Sequence, residues 1–195
     1  MNIIPVTLEG QHIRLEPLSL RHHAQLCEVG LAEEIWRWMP QPVRTPEEMR
    51  AFIETALAWQ AAGTALPFAT TEKATGRAIG STRFANIDRA NRHVEIGWTW
   101  LGLEWQRTAA NTEAKYLMLR HAFETWGCLR VEFKTDALNE RSRQALLRIG
   151  AQEEGTFRSH IVTASGRIRD SVYYSIIASE WPGVKTHLEK KLSLA

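Results

Sequence analysis

The stretch Leu103-Glu104-Trp105-Gln106-Arg107-Thr108-Ala109-Ala110-Asn111-Thr112-Glu113-Ala114 joins a run with strand character to a run with helical spacing. At such junctions in α/β proteins, backbone N–H groups at a helix N-terminus gather a phosphate, usually with glycines letting the main chain close around it. This loop has no glycine. It reads either as a cradle built without glycine or as an ordinary strand-to-helix connection, and the residues on both sides must decide.

Upstream, Leu66 to Thr71, Ala78 to Asn86 and His93 to Leu101 read as three consecutive strands, separated by the turn residues Gly76 and Asp88-Arg89-Ala90-Asn91. Before them, His12 to Leu18 alternates as a first strand, with Ile13 and Leu15 on one face and Arg14 and Glu16 on the other. Ser19 caps a helical stretch to about Val29, and a second stretch, Ala32 to Trp38, stops at Pro40 and Pro42. Thr45-Pro46-Glu47-Glu48 starts a third helix that runs to the stop at Gly63.

Downstream, Asn111 to Trp126 carries Ala114, Leu117, Met118, His121, Ala122 and Trp126 at helical spacing, and Gly127 ends it. Leu129 to Lys134 alternates as a strand. Glu140 to Ile149 is a short helix closed by Gly150, Phe157 to Val162 and Val172 to Ile177 form a hairpin around Ser165-Gly166, and Glu180 to Leu192 is a last helix. The result is an α/β (α+β) mixed sheet of about seven strands, with one strand-helix-strand crossover in the middle.

Composition narrows the classes. A chain of 195 residues with 44% hydrophobic and 24% charged residues fits one domain, with its core from about residue 8 to 181. A formal charge of +2 gives no argument for nucleic acid. No run is long enough to span a membrane, and Met1 to Gly10 lacks the apolar core of a signal peptide. The two cysteines, Cys27 and Cys128, form no disulfide framework. A cytoplasmic protein is expected. His23 and Cys27 stand four apart on a helix, but no third ligand recurs nearby, so no metal is expected.

The order of elements, with Glu95-Ile96-Gly97-Trp98, the Gln106 loop, Asn139-Glu140-Arg141-Ser142, Gly150-Ala151 and Asp170 to Ser175, resembles the GNAT acetyltransferase superfamily. Within it the chain looks like the RimJ/RimL-type branch, from about Leu8 to Trp181. The resemblance implies an acyl-CoA N-acyltransferase fold with a splayed central strand pair. The family's phosphate loop, Q/R-x-x-G-x-G/A, falls on Gln106, Arg107, Thr108, Ala109, Ala110 and Asn111, followed by Thr112; Ala109 and Asn111 replace small, mostly glycine, residues. The donors there belong to the main chain, so alanine keeps them, at roughly 1 kcal/mol if position 109 needs positive φ. Arg107 offers direct attraction to a phosphate.

The resemblance also implies that acetyl-CoA enters the splay as a short strand, pairing with backbone of Trp98, Thr99, Trp100 and Leu101, with Leu129 to Lys134 as the other wall. Asn139 binds pantetheine or caps its helix, and Ser142 stands where the branch keeps an acid near the sulfur. For the base, Glu95 and His160 are the candidates, and Tyr174 is a candidate thiolate acid. The RimL-like enzymes place a glutamate near the position of Ile161, which this chain lacks. The acceptor region falls between Glu34 to Pro40 and Arg158 to Arg169, which puts Trp36, Trp38 and Arg158 at the substrate. The cluster Arg141, Arg143 and Arg148 reads as a solvated helix face, with Arg141 or Arg143 in reach of the CoA 3′-phosphate.

The function implied is transfer of an acetyl group from acetyl-CoA to a primary amine, on a protein N-terminus or a small molecule, directly within a ternary complex. A non-catalytic acyl-CoA-binding module stays open as an alternative; a nucleotide-binding loop does not fit, because no Gly-Lys-Ser/Thr follows. No nucleic-acid or membrane partner is expected, and the chain is read as a monomer or a homodimer through its last helix.

Overall fold

The computed structural model describes residues 1–194. Eight strands form one sheet in the order β1-β2-β3-β4-β5-β6-β8-β7. They are β1 (Leu8–Glu9), β2 (Ile13–Pro17), β3 (Leu66–Glu72), β4 (Ala78–Asp88), β5 (His93–Leu101), β6 (Arg130–Asp136), β7 (Gln152–Val162) and β8 (Ile168–Ile177). The helices are α1 (His23–Gly30), α2 (Glu33–Trp36), α3 (Pro46–Ala61), α4 (Ala109–Arg120), α5 (Glu140–Arg148) and α6 (Trp181–Leu192). β5 and β6 are parallel, and every other neighbouring pair is antiparallel. That one parallel pair needs a crossover, and α4 supplies it.

Alternation along the strands sends side chains to two cores. Val94, Ile96, Val131, Phe133, Tyr174 and Ile176 pack beneath α4, α5 and α6, together with Leu117, Leu146 and Leu188. Ala69, Ala78 and Trp100 pack against α1, α2 and α3 through Leu26, Trp36, Met49 and Ile53. The local signals hold where a cap or a glycine enforces them. Thr45 accepts from the Glu48 N–H at 3.2 Å with Pro46 behind it, and Gly127 and Gly150 take φ +64° and +92° where helical segments end.

Several boundaries differ from expectation. The sheet has eight strands rather than about seven, because Leu8–Glu9 pairs with β2. α4 ends at Arg120, and a π-helical turn over His121–Thr125 follows, the Trp126 N–H reaching back to the His121 carbonyl. β7 starts at Gln152, well before Phe157. Ser19 opens a short 3-10 turn, not the helix itself; its N–H goes to His22 Nδ1 at 3.2 Å and its hydroxyl has no partner among the described residues.

The extra strand is held by Glu113, a buried residue of α4 whose carboxylate accepts the N–H groups of Gln11, His12 and Ile13 at 2.6, 2.9 and 2.8 Å. Gly10 is required by this contact, since a Cβ there would lie 2.4 Å from the carboxyl carbon. One acidic side chain thus fastens the sheet edge to the crossover helix. Glu113→Ala strands three donors, each at roughly 1–3 kcal/mol when buried. Urea unfolding is expected to show a loss of about 3 kcal/mol or more, and Glu113→Gln, which retains one acceptor oxygen, a smaller loss.

Candidate active site

β5 and β6 pair at His93–Arg130, Val94–Val131 and Glu95–Glu132, and go no further together. Beyond Glu95, β5 continues to Leu101 without β6 beside it. The cause is a bulge. On β4, Arg83 faces Gly97 and Ser81 faces Trp100, so Trp98 and Thr99 both lie opposite Thr82. Trp98 takes φ +53°, a left-handed conformation that costs a bulky residue energy and survives only where packing imposes it. That packing comes from both faces. The Trp98 indole meets Trp59 edge-on at 5.3 Å, while Thr99 Oγ1 lies 2.8 Å from Thr82 Oγ1 and 2.6 Å from Lys115 Nζ.

At the wide end of the slit stands the N-terminus of α4. Thr108 caps it, its hydroxyl accepting from Ala110 N–H at 3.2 Å and donating to the Trp105 carbonyl at 2.7 Å. The left-handed residue of this loop is Arg107 at φ +65°, not Ala109. Ala109 sits at the first helical position, where alanine is unstrained, so the conformational cost falls two residues earlier, on the arginine. Gln106 bridges the mouth, donating to the Leu101 carbonyl at 3.1 Å and accepting from Arg141 of α5 at 3.0 Å. Asn111 Oδ1 is buried without a partner among the described residues, and Thr112 is half-buried beside it. Asn139 caps α5, its Oδ1 accepting the Ser142 N–H at 3.1 Å.

The candidate groups divide between the two faces of the sheet. Tyr174 pairs with Phe133 and points toward α5, where its hydroxyl accepts from Arg143 Nε at 3.2 Å and donates to Glu153 at 2.9 Å. Burial above all raises its pKa. Ser142, half-buried on α5, belongs to the helices on this same face. Glu95 faces the other way, and its Oε2 accepts from Asn86 Nδ2 at 2.8 Å and Lys134 Nζ at 2.9 Å. His160 joins this second group from a bulge of β7, where Ser159 takes φ +51° and its N–H binds Asp170 at 2.7 Å. The His160 imidazole packs on Phe157 and Tyr173; partial burial, then Lys134 and Arg169, hold its pKa below the ordinary value, with Glu95 opposing.

The two segments expected to bound the acceptor region meet, the Ala164 N–H donating to the Pro40 carbonyl at 3.0 Å. Between them opens a cavity of about 670 Å³ edged by Glu33, Glu34, Trp36, Arg37, Met39 and Arg167. Trp36 is chiefly core: buried, bound to the Gly30 carbonyl at 2.6 Å and packed on Phe52 and Trp100. Trp100 is core as well. Trp38 carries Arg37 over its ring at 5.1 Å and Arg167 at 5.8 Å, and Arg158 is exposed on the outer surface of β7. Asp136, buried, pairs with Arg167 and more distantly, at 3.9 Å, with Arg169.

Comparison with known proteins agrees with this geometry. The model of the acetyltransferase (GNAT) domain matches residues 12–152, and the chain belongs to the GNAT acetyltransferase family. It is 36% identical over 110 residues to "Putative ribosomal N-acetyltransferase YdaF" of Bacillus subtilis (strain 168), a match covering 56% of this chain and 59% of that protein. That relative supports the RimJ/RimL-like branch. A GCN5-related N-acetyltransferase from Brucella melitensis superposes with a TM-score of 0.89 at 33% identity, over 96% of this chain and 86% of that one. RimJ of Mycobacterium smegmatis, solved in complex with CoA-disulfide, shares the fold with a TM-score of 0.84 at 23% identity, over 97% of this chain and 95% of that one. No helix among the described residues is long and apolar enough to cross a membrane.

Arg83, Lys115 and Lys134 were not singled out by their sequence positions. A long cation inside the otherwise small and apolar run Ala78 to Ala85 was the available signal for Arg83. Lys115 lies at the edge of the apolar stripe of α4 and is nonetheless buried, with Thr99 its one hydrogen-bond partner among the described residues. Burial pushes its pKa down to about 7. The unfolded lysine titrates near ~10.4, so between about pH 7 and ~10.4 the unfolded chain binds the extra proton and stability rises with pH. Below about 7 both states are protonated and the burial cost is paid in full. Unfolding free energies measured from pH 7 to 9.5 should therefore climb for the wild type relative to Lys115→Met, by up to ~1.4 kcal/mol per pH unit. Parallel curves for the two proteins would remove Lys115 as the titrating group.

Proposed function

We propose that the protein transfers the acetyl group of acetyl-CoA, bound in the slit between β5 and β6, directly to a primary amine in a ternary complex. The observation that carries this reading is the parting of β5 from β6 beyond Glu95, with the N-terminus of α4 at the open end. A pantetheine arm has the amides to pair with the β5 backbone that β6 leaves unpaired, as a short added strand. A pyrophosphate suits the main-chain donors and positive end of α4, with Arg107 beside it. The fold neighbour RimJ, whose structure holds CoA-disulfide, supports the same choice of ligand.

The division of groups between the faces suits direct transfer. Amine attack on a thioester needs a proton acceptor on the amine side and stabilisation of the departing thiolate on the other. Glu95 and His160 stand on the face toward α1–α3 and the β7–β8 hairpin. Glu95 Oε2 is engaged by Asn86 and Lys134, which leaves Oε1 to accept the amine proton through a water. Ser142 and Tyr174 stand toward α5, on the side assigned here to the sulfur. The acceptor is a protein N-terminus, as the name of YdaF suggests for that relative, or a small-molecule amine.

Calorimetric titration with acetyl-CoA, CoA and ATP tests the donor: the first two are expected to bind and ATP to bind far more weakly. Ala109→Val, at a position with ordinary helical backbone, should weaken acetyl-CoA several-fold because its branched Cβ crowds the phosphate, while thermal stability changes little. Affinity indifferent to valine would place the pyrophosphate elsewhere.

A second pair of variants separates capping from chemistry. Asn139→Ala is expected to cost about 1 kcal/mol of stability through loss of the α5 cap. Ser142→Ala should lower kcat with acetyl-CoA affinity intact if the hydroxyl serves the sulfur. An unchanged kcat would return Ser142 to the helix alone.

A further inference from the structure

Arg83 is 1% exposed, in the centre of β4, on the face of the sheet that carries Glu95. Its guanidinium lies over the rings of Phe52 at 4.8 Å, Trp59 at 5.3 Å and Trp98 at 5.1 Å. Nε and Nη2 are both buried and without a partner among the described residues. These two nitrogens share one edge of the guanidinium, the edge that takes a carboxylate with two parallel hydrogen bonds. The carboxylate of Glu95, on the same face, is already engaged. It is bound to Asn86 and Lys134, although it leans over Gly97, directly across from Arg83.

A buried charge without a counter-ion is costly, and contact with aromatic faces offsets only part of that cost. Burial lowers the pKa of Arg83 only to about 10, so the group stays cationic at neutral pH. For packing alone, an apolar side chain of similar length would serve the position better. The three rings that cover the guanidinium are themselves only half-buried, and access to the edge requires one of these side chains to swing aside.

We propose that the acceptor is a free α-amino acid, and that Arg83 takes its carboxylate side-on through Nε and Nη2 from within the Phe52–Trp59–Trp98 cage. The proposal rests on the acetyl-CoA reading of the slit. Glu95 and Gly97, the cross-strand partner of Arg83, are alternate residues of β5 and lie on one face of the sheet. An α-amino acid on that face sets its carboxylate on Arg83 and its amine toward Glu95 and the thioester. Arg83 is in this view the residue that sets specificity: it selects acceptors that bring their own anion.

The test compares each of the twenty proteinogenic L-amino acids with its carboxamide in a steady-state acetylation assay with acetyl-CoA, beside calorimetry of acetyl-CoA binding. At least one acid is expected to exceed its amide about 10- to 100-fold in kcat/KM, the range of a charged hydrogen-bonded contact. Arg83→Met should collapse that ratio toward one, chiefly through KM, and Arg83→Lys, which keeps the charge without the fork, should restore it only in part. The wild-type comparison needs no variant, so a poorly folding Arg83→Met leaves the test intact. Equal use of acids and amides overturns the proposal. So does acetyl-CoA binding with no acid acetylated, including the case in which only peptide N-termini are acetylated. Failure of acetyl-CoA to bind at all overturns instead the reading of the slit.

Discussion

The site depends on a bulge of one residue in β5. A parallel pair that kept its register would run closed from His93 to the end of β6, and backbone groups would satisfy each other along its length. Doubling Trp98 and Thr99 against Thr82 bends β5 away after Glu95 and leaves a row of main-chain donors and acceptors on its open side. The distortion is held by contacts of opposite kinds. On one face an indole is clamped between an aromatic ring and a guanidinium; on the other a hydroxyl is fixed by a second hydroxyl and a lysine.

Two costly features of the interior flank this bulge. Arg83 and Lys115 are both buried cations without a carboxylate partner among the described residues, one on each side of the same bulge. Their pKa values fall, to about 10 and about 7, for the same reason, which is loss of solvent. The outcomes differ because a guanidinium starts higher than an ammonium. At neutral pH Arg83 remains a fixed cation, while Lys115 stands near the midpoint of its titration.

Electrostatics divides the molecule as the cores do. The face under α4, α5 and α6 is apolar apart from the Arg143–Tyr174–Glu153 group at its edge and, against α4, the Thr82–Thr99–Lys115 group and the Glu113 carboxylate. The opposite face carries the Glu95–Lys134 and Asp136–Arg167 pairs together with Arg83, Arg169 and His160. Two unlike surfaces therefore meet at the slit.

The order of elements was legible because each is bounded by signals that act over a few residues: Thr45 and Pro46 at the start of α3, Gly127 after the π turn, Gly150 behind α5. The position of the strand-to-helix loop before α4 followed from that order, and the resemblance to the GNAT family followed from order and motifs together. What the chain did not disclose was register. Trp98 reads as one more alternating strand residue, and only the cross-strand partners Ser81, Arg83, Gly97 and Trp100 make it a bulge. Arg107 and Ala109 look equally able to carry a turn, and the cap at Thr108 decides for Arg107. Arg83 and Lys115 look like surface cations until α3 and α4 close over them. Local preferences, set by neighbours along the chain, determined the sequence of strands and helices; pairings between distant segments, whose free energy no short stretch contains, decided where the sheet opens and which charges face the opening.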